Sequence, residues 1–150
     1  MHNSSAVRFR LFLLAVCGQL WACTPSIAPY SVTAYTYAID LKVDSVKLME
    51  RAEEPYSTYR KNITSLKIKL EKAFEFAKGR PRNEYSARQW QILLDPSQHL
   101  LGGFLKRWER SGTQSAPFIQ ESIGIVSKAF DTIIGLESGK IKVGYRGEGK

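Results

Sequence analysis

Apolar side chains recur along most of this chain at steps of three and four. No segment alternates apolar and polar residues for long enough to build a strand. The clearest run takes Met49, Ala52, Tyr56, Tyr59, Ile63, Leu66, Leu70, Ala73 and Ala77. Alternating steps of three and four place these residues on one stripe of a helix, at the repeat of a coiled-coil seam. Phe74 and Phe76 widen the stripe near its end. Upstream, Val32, Tyr35, Ile39, Val43 and Val46 give a looser stripe. The one fault is Pro55, with Glu53-Glu54 before it. A proline either kinks a helix or occupies its first turn, so Pro55 bends one rod or opens a second helix. The register running through it favours the kinked rod.

Punctuation then divides the rest. Gly79-Arg80-Pro81-Arg82-Asn83 is the clearest break, with Gly79 as a helix-ending residue. Ser86 and Gln89 have capping-box spacing ahead of Trp90, Leu93 and Leu94. Asp95-Pro96 reads as a cap and first-turn proline for a helix carrying Leu100, Leu101, Phe104, Leu105 and Trp108, which stops at Gly112. Ser115 and Pro117 open the last helix. Its Ile119, Ile123, Val126, Phe130 and Ile133 form one stripe, and Gly139 closes it. The expected fold is all-α: a long kinked helix with shorter helices folded back along it as an antiparallel bundle over residues 31–139. Residues 140–150, glycine-rich and basic, read as a flexible tail.

The first 22 residues have a different order of properties. A polar start carrying Arg8 and Arg10 precedes the apolar run Leu11–Gly18, too short to span a bilayer and suited to a signal-peptide core. Leu20-Trp21-Ala22-Cys23 follows. This tetrapeptide resembles the lipobox of bacterial prolipoproteins: an aliphatic residue, a tolerant position, a small residue, then cysteine. The resemblance covers the leader only, and Trp21 is bulkier than the residue usual at its position. It implies cleavage between Ala22 and Cys23, a diacylglyceryl group on the Cys23 thiol and acylation of the new amine. Cys17 is a poorer candidate, because β-branched Val16 stands where a small residue is needed. Residues 23–30, with Pro25 and Pro29, read as lipidated cysteine and tether. Thr24, rather than Asp, after the cysteine implies the outer membrane, facing the periplasm, if the host has one. Ser26-Ile27-Ala28 is an alternative site for an ordinary signal peptidase, and cleavage there would release a soluble periplasmic protein.

Composition adds charge to this picture. Removing the leader takes away Arg8 and Arg10 and no acid, leaving 20 basic and 14 acidic residues, a net of +6. The excess sits in residues 60–110 and in the tail, with mildly acidic segments on either side. Such a basic middle can meet an anionic partner, or pack beside its own acidic neighbours. Lys67, Lys69, Arg80, Arg82, Arg88, Lys106, Arg107 and Arg110 are the cations that would reach an anionic polymer or an envelope protein. Nucleic acid is not expected, since export removes that partner. Both cysteines lie in the first 23 residues, which excludes internal disulfides and Cys-based zinc sites from the body.

Candidate chemistry is sparse. His99 is the one histidine after the leader, too few for a triad or a histidine metal site. Gly135…Gly139-Lys140 is one residue short of a phosphate loop, lacks its hydroxyl at Ile141 and follows a helix. Glu71 and Glu75 share a helix face, but with lysines around them they read as a solvated ion-pair face. Gly102-Gly103 is the oddest feature, because paired glycines weaken a helix unless something approaches closely. The set His99, Gly102, Gly103, Lys106, Arg107 and Trp108 is therefore the candidate interaction surface. No catalytic residue, metal or cofactor is expected. The functional expectation is a lipid-anchored, non-enzymatic interaction or structural module. The alternative is a small-ligand carrier with an aromatic pocket of Trp90, Phe104 and Trp108.

Overall fold

The computed structural model describes residues 28–141; the expected leader, Cys23, Thr24–Ile27 and the tail from 142 lie outside the described residues. Five helices occupy that span: α1 (Val32–Met49), α2 (Tyr56–Gly79), α3 (Glu84–Leu94), α4 (Leu101–Ser111) and α5 (Ala116–Glu137). No strand occurs among the described residues. The fold is an all-helical bundle.

Pro55 separates two helices rather than kinking one. The chain leaves α1 after Met49 and turns through residues 50–54, where Arg51, Ala52 and Glu54 donate their amides to the carbonyls of Leu48, Met49 and Arg51. Pro55, at φ −60° and ψ 132°, then precedes α2 as its N-cap. Lys69 pairs with Asp44 at 2.9 Å, and the Phe76 ring meets that of Tyr37 edge-on at 5.8 Å. Those two pairings fix α1 and α2 as antiparallel neighbours. The seam through Met49, Ala52 and Tyr56 is nevertheless buried throughout. Short turns keep near-helical phase, so the stripe survives while the axis reverses.

The face that α1 buries also differs from the expected one. Ala34, Ala38, Leu41, Ser45 and Met49 are buried, whereas Val32 and Val43 are exposed and Tyr35, Ile39 and Val46 half-buried. Helix α1 lies between α2 and α5. Small side chains along that line let two neighbours close on it, so packing overrides the larger branched residues. At the start of α1 the Ser31 hydroxyl accepts from the Ala34 amide at 3.3 Å, an N-cap bond.

Two further boundaries shift. Ser86 does not cap a helix; α3 begins at Glu84, and Ser86 is buried within its first turn. Asp95-Pro96 does not open α4. Asp95 instead accepts from the Ser97 amide at 2.8 Å and hydroxyl at 2.7 Å, closing an Asx turn, and α4 starts at Leu101. Gly112 (φ +79°) and Gly139 (φ +71°) supply the left-handed residues that end α4 and follow α5.

Helices α1, α2, α3 and α5 close a ring in which each packs against the next, up-down-up-down, around Ile63, Leu70, Trp90, Leu93, Val126 and Phe130. Helix α4 is inserted between α3 and α5 and packs against α2 and α3, with its C-terminal part beside the α1–α2 turn. Backbone bonds tie it down: the Tyr56 amide donates to Gly112 and the Gln114 amide to Ala52, each at 2.8 Å. The opposite end collects Pro29, the Arg80–Asn83 turn and the last residues of α5. No helix among the described residues is long and apolar enough to cross a membrane.

Candidate functional site

A groove of about 490 Å³ lies between α4, the turn before it and the first half of α5. Its floor is apolar, with Leu100, Phe104, Phe118 and Ile125, and its rim carries His99, Lys106, Arg107 and Arg110. The Phe104 and Phe118 rings stack with centroids 5.9 Å apart and planes 5° from parallel. Arg107 lies over Phe118, its guanidinium carbon 4.1 Å from the ring centroid. Its Nε donates to the Gln114 side-chain carbonyl at 3.1 Å, and the Gln114 amide donates to the Ser111 hydroxyl. Stacking and this bond fix the plane of the guanidinium, leaving its outer N–H groups for a ligand.

Lys106 and Arg110 stand one turn apart on the same helix, so three cations line about 6 Å of α4. None of the three enters an ion pair among the described residues. Glu121 is the one carboxylate lining the groove. In the turn before α4, Asp95 is held below the usual carboxylate range, chiefly by the Ser97 amide, with its hydroxyl and the Lys106 charge adding to that. The arrangement can hold an anionic group against an apolar body. No hydrogen bond joins His99 to a hydroxyl among the described residues.

Of the expected surface, His99, Gly103, Lys106 and Arg107 line this groove. Gly102 and Trp108 do not. A methyl group on Gly102 would overlap the Leu94 carbonyl, and one on Gly103 would overlap that of Gln98. The glycines therefore serve close approach of this chain's own backbone. Trp108 is fully buried, edge-on to Tyr56 at 5.6 Å, with its indole N–H donating to the Glu54 carbonyl at 3.0 Å. Trp90 is sealed elsewhere, edge-on to Phe130 at 5.9 Å. Trp90, Phe104 and Trp108 thus form no common pocket, because all three are core and Trp90 packs apart from the other two.

The other expected cations do not make one surface. Lys69 is committed to Asp44 and Arg80 to Glu137, while Lys67, Arg82 and Arg88 are exposed on other helices and turns. Glu75 pairs with Lys78 at 3.2 Å, as a solvated pair should, and Glu71 is exposed beside it. Phe118, Glu121 and Ile125 were missed from sequence. Phe118 and Ile125 each sit one residue before a member of the buried α5 stripe, and that offset was the available signal.

A second polar constellation lies at the far end. The buried Glu137 carboxylate accepts from Arg80, from the Ser86 hydroxyl and from the Asn83 amide at 3.1 Å. Asn83 also donates to the Ala77 carbonyl at 3.0 Å, and Arg80 to that of Pro29. This clasp ties α2, α3, α5 and the segment before α1 together. No group of three or more His, Cys, Asp or Glu side chains that could hold a metal ion forms among the described residues. The chain matches no protein-family model, no characterised protein and no solved structure.

Proposed function

We propose that this is a lipid-anchored protein of the bacterial cell envelope, acting as a non-enzymatic interaction module that presents the α4–α5 groove to an envelope partner. The observation that carries the reading is the relation between anchor and groove. Cys23 lies five residues before Ala28, a reach of at most about 17 Å. Residue 28 is at the Glu137 end of the bundle, where Arg80 holds Pro29. The groove flanks the other half of the bundle: its α5 residues, Phe118 to Ile125, lie about 18–29 Å along that helix from Glu137. Lipid on Cys23 would therefore hold one end of the frame at the membrane and carry the basic groove away from it.

Two measurements test this. Wild-type cells should incorporate a fatty-acid label into the protein, and Cys23→Ala should abolish it; persistent labelling would overturn the anchor. Crosslinking of intact envelopes should recover a discrete partner, lost when Lys106, Arg107 and Arg110 are changed to Glu. Recovery of no specific partner, or of the same partner from the charge-reversed protein, would overturn the docking role.

A further inference from the structure

Nine large apolar side chains are exposed among the described residues, and six of them gather at one end of the bundle. Tyr30 and Val32 enter α1, and Tyr37 follows within two turns. Phe76 is in the last turn of α2, Tyr85 in the first turn of α3, and Ile141 just beyond α5. Antiparallel packing brings all six to the end that holds the Glu137 clasp. Single exposed apolar residues are ordinary on any surface, but they scatter. Here Val43 and Ile68 lie midway and Ile125 lines the groove, so the α4 end has almost none.

Charge at this end points the same way. Within about five residues of this end, the exposed cations Lys78, Arg82, Arg88 and Lys140 outnumber the exposed acids Glu75 and Glu84. The tail that continues from it adds Lys142, Arg146 and Lys150 against Glu148. Aromatic rings and long cationic side chains at one level are the composition that settles at a bilayer interface. Chain geometry supplies the third observation, since Ala28 leaves this end with Cys23 five residues away.

We propose that the bundle seats this end directly on the anionic surface of the bilayer, with the exposed aromatic residues entering the interface and Arg82, Arg88 and Lys140 meeting lipid headgroups. The inference deepens the anchored reading, from which it takes only the presence of a membrane. A surface of this kind adds a second attachment to the acyl chains and holds the frame upright, where a tether alone would let it tumble. Each headgroup-facing cation strengthens anionic binding by about fivefold.

The test uses the full mature chain with Cys23→Ala, which cannot be acylated, sedimented with vesicles of phosphatidylglycerol and phosphatidylethanolamine. It should bind them, release in high salt, and bind phosphatidylcholine vesicles far less. Arg82→Glu with Arg88→Glu should weaken binding at least 25-fold, about fivefold per position. Tyr37→Ser with Phe76→Ser should weaken it further. Arg60→Glu with Lys61→Glu, the same charge change at the α4 end, should leave it within about twofold, with thermal unfolding showing that every variant is folded. Absence of binding to anionic vesicles, or an equal loss from both charge-reversed pairs, would overturn the proposal. Acyl labelling is read separately, so loss of the anchor and loss of surface binding are distinguishable.

Discussion

The two ends of this bundle are closed by opposite chemistry. At the α4 end the seal is aromatic: Trp108 is enclosed by Tyr56, Tyr59 and Phe104, with its indole N–H on a single backbone carbonyl. At the other end the seal is polar, a buried carboxylate accepting from Arg80, Asn83 and Ser86. Apolar closure draws its stability from area removed from water and from tight packing. Polar closure offsets a desolvation cost and is valuable mainly for fixing geometry. The aromatic end should therefore contribute more to stability, and the clasp more to how the helix ends and Pro29 are held.

Trp108→Ala is the severest test of that contrast. It should cost about 3–5 kcal/mol, read as a lowered denaturant midpoint, because a fully buried ring leaves a cavity among three aromatic neighbours. Glu137→Gln should cost less, about 2–3 kcal/mol, since Arg80 is partly exposed and can reach water. Arg80→Met combined with Glu137→Leu should recover part of that loss. A double variant as unstable as the sum of its singles would show that the clasp does more than neutralise its own burial.

The glycines of α4 sharpen the comparison at a smaller scale. Gly103→Ala should destabilise by about 1–3 kcal/mol, because the Gln98 carbonyl occupies the space of the new methyl group. Gly124→Ala on α5 has open space around it and should stabilise by about 0.5–1 kcal/mol. Thermal melts of both variants give the two signs directly.

Alkaline unfolding is the subtlest separation of the ends. Tyr56 is pushed above the usual tyrosine value mainly by burial, and Tyr59 mainly by its bond to Glu54. A raised folded-state pKa means that the neutral phenol is favoured in the fold. Its contribution is complete below about pH 10 and is lost as pH rises through the folded value. Stability should therefore fall above that pH, and Tyr56→Phe with Tyr59→Phe should flatten the fall. An unchanged profile would place the alkaline sensitivity elsewhere.

Most of the frame was legible in the sequence because packing repeats are periodic. The seam from Met49 to Ala77 and the α5 stripe are buried as their spacing implied, except that Tyr59 and Ile123 are half-buried. Reversal at Pro55 was not legible, since residues 50–54 carry the phase of the helix through a turn while its axis is lost. The α1 stripe misled for a different reason. A helix between two neighbours selects small residues such as Ala38 and Ser45, and hydrophobicity alone does not rank those first. In the candidate groove, charge and glycines were readable, so His99, Gly103, Lys106, Arg107 and Arg110 were named from sequence, and Phe104 as an aromatic candidate. Trp108 was not placed correctly, because a tryptophan one turn from Phe104 and Leu105 is as consistent with a core as with a surface. The α5 contribution of Phe118 and Glu121 depends on tertiary approach, which no local pattern encodes.

Gly102 and Gly103 let the first turn of α4 press against the carbonyls of Leu94 and Gln98. Helix, preceding turn and the Arg107–Phe118 stack are thereby packed closely together. The groove, as proposed, would lose little freedom to an entering ligand, which would meet a shape already in place. Its selectivity should reside in the outer reach of Lys106 and Arg110, the two cations left with free rotamers.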